Sequence, residues 1–137
     1  LSRFESATVD EINKRIELSK NNDGMTLCIA LNYGGRDEML RAIRKIAADC
    51  KDGELSVEDI DEKLFASYLD TSDIPEPDFM IRTSGEQRLS NFLLWQTAYS
   101  EFYFPEVLWP DFDKKELKKA IEEYTKRDRR FGGIKEE

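Results

Sequence analysis

Histidine is missing from all 137 residues, which removes every scheme that needs an imidazole as base, nucleophile or metal ligand. Cysteine is scarce. Cys28 and Cys50 are too few and too separated for a zinc centre. Their apolar flanks read as small buried hydrophobes in a reducing compartment rather than a disulfide framework. No apolar run approaches the roughly 18 residues that cross a bilayer, and the longest aromatic-rich stretch is interrupted by Glu101, Pro105 and Glu106. The opening LSRFESATVDEI has no signal-peptide hydrophobic region. Positive charge is outnumbered, 21 Lys and Arg against 29 Asp and Glu, for a net charge of -8. Such a surface repels polyanions unless its basic residues cluster, so nucleic acid is not expected as a partner. The compartment read from these features is cytoplasmic, with peripheral contact at the inner face of the cell membrane left open.

What is present is enough for a folded domain. Hydrophobic residues make up 39%, with eight Phe, five Tyr and two Trp, and a chain of this length buries roughly two-thirds of its unfolded surface. Thr8 and Glu11 have capping-box spacing before Val9, Ile12 and Ile16, which predicts an amphipathic helix over about 8–20. TLCIALNY (26–33) is almost unbroken apolar, the pattern of a strand covered on both faces of a parallel sheet. Met39 to Cys50 resume helical spacing, and Ser56 with Asp59 suits a further helix start. DFMIRTS (78–84) and SEFYFPEV (100–107) read as strands, with FLLWQTAY between them as a short helix capped by Ser90. Asp113 and Glu116 open a last helix with Leu117, Ile121, Tyr124 and Phe131 on its apolar stripe, ended by Gly132 and Gly133. Strands alternating with helices predict an α/β fold in three layers, a mostly parallel sheet with helices on both faces. The few strands in view are a small sheet for so many helices, so further strands are expected ahead of residue 1.

IRTSGEQRLSN (81–91) carries the most chemistry. Arg82 falls at the carboxyl end of a strand, where open α/β sheets place ligands, and Arg88 and Ser90 follow across a turn. Two guanidinium groups beside a helix start make a cradle for phosphate oxygens. Spacing alone equally allows arginines paired to nearby carboxylates and a serine that only caps a helix. Glu101 could hold a magnesium ion beside a bound diphosphate, or be a solvated or structural carboxylate. Asn32, Gly34, Gly35 and Arg36 form a strand-to-helix junction that reads as a ligand-facing loop or a plain tight turn. RDRRFGG is either a basic last helical turn or a clamp on an anion.

Together, ALNYGGRDE, DFMIRTSGEQRLSNFLLWQTAYSEFYFPEVLWPDF and RRFGG resemble the cis-prenyltransferase family of the undecaprenyl diphosphate synthase type, in order and spacing, over essentially the whole chain. The resemblance implies that Arg82, Arg88 and Ser90 bind the diphosphate of isopentenyl diphosphate and that Glu101 helps position Mg2+. It further implies that Arg130, Phe131 and Gly132 form a terminal RxG motif completing the isopentenyl site, commonly that of a partner subunit in a homodimer. Asn32 and Arg36 are implied only as supports of the active-site wall. Gln87 departs from the histidine many bacterial relatives carry, so any titrating role there is lost. The family's DGNxRWA-like motif, with the aspartate expected upstream, has no counterpart, so no catalytic residue is assigned and the chain is expected to be a carboxyl-terminal part of a single domain (1–137), inactive alone. The implied reaction of the intact protein is magnesium-dependent addition of isopentenyl diphosphate to an allylic diphosphate such as farnesyl diphosphate, giving undecaprenyl diphosphate or a similar lipid carrier. Alternatives are a noncatalytic prenyltransferase-like subunit or a diphosphate-binding domain.

Overall fold

The computed structural model describes residues 4–127, which fall into two compact units, Leu1–Tyr33 and Gly34–Glu137. The terminal motif with Arg130, Phe131 and Gly132 lies outside the described residues.

In the first unit, helix α1 spans Ser6–Ser19. It starts two residues earlier than the Thr8 reading, and no side chain caps it. The helix is held by its own surface pairs, Arg15 with Glu11 at 2.6 Å and Lys20 with Glu17, each worth only a few tenths of a kcal/mol at about the (i, i+4) spacing. The following 26–33 segment forms no strand. Met25, Leu27, Ile29 and Leu31 are all exposed, Leu27 by 74%, and Cys28 is exposed rather than buried. A strand exists only through ladder bonds to a neighbour, so apolar composition at 26–33 marks strand potential without making one.

The second unit opens with α2, Gly35–Asp52. Its inner face is Gly35, Glu38, Ala42 and Ile46, spaced by three and four residues as one helical face requires. Ala42 is fully buried, and Ile46 and Leu69 nearly so; each large aliphatic side chain removed from water contributes roughly 1.5–3 kcal/mol. Gly53, at φ 77°, ends the helix by donating its N–H to the Asp49 and Cys50 carbonyls. The expected helix at Ser56 is a short 3-10 turn, Val57–Asp59, and α3 begins later, at Glu62–Ser67, where Asp61 accepts from the Leu64 N–H at 2.7 Å. A cap needs its oxygen free for that amide, and Ser56 instead donates its hydroxyl to Glu58.

Strands β1 (Phe79–Ile81) and β2 (Glu101–Tyr103) pair in parallel, Phe79 opposite Glu101 and Ile81 opposite Tyr103. Parallel neighbours need a long crossover, here residues 82–100. Helix α4, Lys114–Thr125, is capped by Asp113, whose Oδ1 accepts from the amides of Lys115 and Glu116. It packs on the sheet through Tyr124 against Phe79, ring centroids 4.9 Å apart. The sheet and helices make this an α/β protein with a parallel sheet.

One buried carboxylate ties the elements together. Glu38, 1% exposed, accepts from the Asp70 N–H at 2.9 Å and from Gln96 Nε2 at 3.1 Å, and Gln96 also donates to Thr71 Oγ1. Thus α2, the chain after α3 and the crossover share one polar node, and each partner is needed because a buried unpaired oxygen costs about 1–3 kcal/mol. Alongside it, Arg41 on α2 forms a two-bond fork to Asp70, at 2.8 and 2.5 Å.

That fork holds the Asp70 carboxyl below the usual carboxylate range and raises Arg41 above its own. Because the folded value is depressed, the pair's contribution is complete above the unfolded carboxylate pKa and lost as pH falls through the folded one. Asp70→Asn should therefore lower stability at neutral pH by about 0.5–1 kcal/mol, the range of exposed pairs. It should also flatten the loss of stability below about pH 4, as read by urea midpoints across that interval; an unchanged acid slope would contradict the assignment.

Candidate functional site

Three residues picked from the sequence meet at one place. Arg82 leaves β1 at its carboxyl end, held in register by its N–H donating to the Tyr103 carbonyl at 3.0 Å. Ser84 and Gly85, both at positive φ, then donate to the carbonyls of Val107 and Pro105, so the chain stays zipped to the segment after β2. The turn that follows brings residues 88–90 back over the strand end. Arg82 Nη1 donates to the Arg88 carbonyl and to Ser90 Oγ, the latter at 3.1 Å. A guanidinium has five donors in a fixed fork, and these two bonds use one nitrogen.

Arg82, Arg88 and Ser90 line a cavity of about 260 Å³ whose remaining walls are Met80, Ile81, Leu89, Phe92 and Phe104. The cavity thus has a cationic, hydroxyl-bearing edge and an apolar body. Arg88 is exposed and ion-paired to Glu86. Surface pairs of this kind are worth about 0–1 kcal/mol, so an incoming anion with several oxygens displaces Glu86 at low cost.

The structure departs from the sequence reading in how this cradle is built. FLLWQTAY is not a helix but a succession of turns, and Ser90, Asn91 and Leu93 all lie at positive φ, 48°, 66° and 44°. Ser90 is therefore no helix cap, and no helix dipole points into the cavity. The left-handed conformations break the run of right-handed residues a helix needs. The first two amides of α2 are engaged by Asn91. Gly35 N–H donates to the Asn91 carbonyl at 2.7 Å and Arg36 N–H to Asn91 Oδ1 at 2.9 Å.

Within the second unit, Arg36 is not among the residues that line the cavity. Asn32 lies in the first unit, exposed and at φ 51°. Arg36 meets the crossover through its backbone amide, and its side chain is exposed. Glu101 is also apart. It sits at the amino end of β2, opposite Phe79, whereas Arg82 follows the carboxyl end of β1; three residues of strand separate those levels by about 10 Å. Its Oε2 accepts from Arg127 Nη1 at 2.6 Å. Among the described residues no group of three acidic or metal-ligating side chains is gathered. Magnesium is usually held by one or two carboxylates together with water and substrate phosphate oxygens, so Glu101 would offer it a single protein ligand, which in this structure is engaged by Arg127.

The protein is of the α/β class with a parallel sheet, and its cavity lies at a strand's carboxyl end, where open sheets of that class place their ligands. Residues 1–132 match the family model of the undecaprenyl diphosphate synthases, and the chain belongs to that prenyltransferase family. It is 53% identical over 135 residues to the isoprenyl transferase of Clostridium perfringens, covering 98% of this chain and 53% of that protein. It is 48% identical over 133 residues to the farnesyl-diphosphate-specific ditrans,polycis-undecaprenyl-diphosphate synthase of Photorhabdus laumondii, covering 97% and 52%. Among solved structures, lavandulyl diphosphate synthase from Lavandula x intermedia, in complex with dimethylallyl diphosphate, superposes with a TM-score of 0.92 at 44% identity, covering 96% of this chain and 56% of that one. The chain spans about half the length of the curated relatives it matches.

Glu101→Gln keeps the side chain's size and removes its charge, leaving Arg127 without its carboxylate. The expected cost is at most about 1 kcal/mol of stability, read from urea midpoints; a loss of about 3 kcal/mol or more would contradict a pair this exposed.

Proposed function

We propose that the full-length protein is a cis-prenyl diphosphate synthase that adds isopentenyl diphosphate to an allylic diphosphate, with farnesyl diphosphate as starter and undecaprenyl diphosphate or a similar polyprenyl diphosphate as product. The observation that carries this reading is the convergence of Arg82, Arg88 and Ser90 on one apolar-walled cavity. Isopentenyl diphosphate has the matching shape, a polyanionic head on a short branched hydrocarbon. Arg82 and Arg88 supply charge-assisted donors and Ser90 a hydroxyl donor to the head, while Met80, Ile81, Phe92 and Phe104 cover the five-carbon tail.

In the reaction the allylic carbon–oxygen bond breaks with its electron pair leaving on diphosphate. The isopentenyl double bond supplies the pair for the new carbon–carbon bond, and loss of a proton sets the cis double bond. The residues described here hold and orient the nucleophilic partner, which lowers the entropic part of the barrier. The allylic site belongs to the remainder of the protein, and this chain alone is expected to be inactive or severely impaired. Magnesium enters the reading as the usual counter-ion of the substrates' diphosphates.

The finer architecture belongs to the same proposal. The two-stranded sheet is part of a larger, mostly parallel sheet in a three-layer domain with helices on both faces. The strand-like composition of 26–33 and the exposure of its Leu27, Ile29 and Leu31 support that reading, as does the length of the relatives. A homodimer is proposed from the resemblance of Arg130, Phe131 and Gly132 to the family's shared terminal motif. A cytoplasmic location, with peripheral contact at the membrane's inner face, suits a lipid product, and among the described residues no helix is long and apolar enough to cross a membrane.

Arg82→Ala and Arg88→Ala in the full-length protein should each raise the KM for isopentenyl diphosphate at least about tenfold, equivalent to about 1.4 kcal/mol of binding. The KM for farnesyl diphosphate should move much less. Steady-state kinetics with each substrate varied in turn checks this, and an unchanged isopentenyl KM would place the head-group site elsewhere.

A further inference from the structure

Ser90 cannot hold its place by itself. It stands at φ 48° beside Asn91 at 66°, conformations in which a serine's Cβ crowds its own backbone, so something outside the turn must fix them. The turn's outward partner is the start of α2. Asn91 accepts with two different oxygens from two successive helix amides, its main-chain carbonyl from Gly35 at 2.7 Å and its Oδ1 from Arg36 at 2.9 Å. It therefore caps a helix that its own flanking residue leaves uncapped, since Gly34 has no side chain to do so.

The two glycines make the approach feasible. A Cβ on Gly34 would lie 2.8 Å from Asn91 Nδ2, and one on Gly35 would lie 3.0 Å from Leu94 Cγ and 3.2 Å from the Leu94 amide nitrogen. A methyl at Gly34 would push the Asn91 side-chain amide aside, and one at Gly35 would require Leu94 to give by a few tenths of an ångström. Glu38, one turn further along α2, binds the same crossover from inside through Gln96. On its other side the turn presents Ser90 Oγ to Arg82 Nη1.

The geometry points to Asn91 as a positioning residue for the diphosphate head: locked onto the first amides of α2, it fixes Ser90 in the left-handed conformation that aligns its hydroxyl with Arg82. This inference rests on the reading of Arg82, Arg88 and Ser90 as the head-group site. It assigns the start of α2 at 34–36 the task of holding the loop that faces the ligand, in place of facing the ligand itself. Asn is suited to the task, because its amide tolerates positive φ and offers a carbonyl acceptor.

The test is steady-state kinetics on the full-length protein carrying Asn91→Ala, Ser90→Ala and both together. N91A should raise the isopentenyl diphosphate KM about tenfold with kcat within about twofold. The double variant should be no worse than S90A within about twofold, because the amide acts through the hydroxyl and the two effects cannot multiply. Should N91A not fold, Gly34→Ala, whose new methyl displaces the Asn91 amide, should raise the same KM. A folded N91A with KM within about twofold of the parent overturns the inference, as do N91A and S90A effects that multiply, or G34A without effect where N91A is unfolded. Arg82→Ala measured alongside separates the cases: if it leaves the isopentenyl KM unchanged, the head-group reading itself fails, whereas a raised KM there with an unmoved N91A sinks the role of Asn91 alone.

Discussion

The candidate site depends on one guanidinium. Arg82 sits where β1 gives way to the crossover, and its Nη1 gathers the Arg88 carbonyl and the Ser90 hydroxyl into one corner. Without that donor the loop from 86 to 90 would have lone pairs at its centre and no reason to fold back over the strand. With it, a cationic group, a second arginine and a hydroxyl share one small cavity with an apolar interior. Ladder-like bonds from Arg82, Ser84 and Gly85 to the chain after β2 fix the backbone beneath, so the short parallel sheet anchors a much longer functional loop.

Around that corner the structure uses polar contacts where a larger protein would use apolar core. Few large aliphatic side chains of the second unit are fully buried, and the most buried large side chain is the carboxylate of Glu38. Its bonds to Asp70 and Gln96 join three segments. Buried polar nodes of this kind specify geometry more than they add stability, because each member is costly if its partner is lost. Arg41 with Asp70 repeats the connection at the surface, where water weakens it.

The sequence showed α2 and α4, because Met39 to Cys50 carry a helical period and Asp113 a capping oxygen, although the face α2 buries is Glu38, Ala42 and Ile46, with Leu40 and Ile43 half exposed. Where it misled, tertiary bonding had overridden local pattern. FLLWQTAY has the composition of a buried helix, yet left-handed residues at 90, 91 and 93 turn it into a series of bends. The bonds of Asn91 to α2 and of Ser90 to Arg82 help to hold those bends. TLCIALNY has strand composition but no ladder in this chain. For the site, residue types at the strand's end were legible, since arginines spaced around a turn are visible one by one. The level of Glu101 on β2 was not, because it is set by the register with β1, which no local pattern encodes. Asn91 was passed over as a loop residue; the signal available was an asparagine next to a candidate ligand and a pair of glycines far along the chain.

The head-group assignment is tested most directly by a crystal structure of the full-length protein with a non-reacting thio-analogue of isopentenyl diphosphate. The account predicts diphosphate oxygens within hydrogen-bond distance of the Arg82 and Arg88 guanidinium groups and of Ser90 Oγ, with Glu86 turned away and the hydrocarbon against Phe92 and Phe104. Analogue bound at full occupancy elsewhere, with the Arg88–Glu86 pair intact and this cavity holding only water, would contradict it.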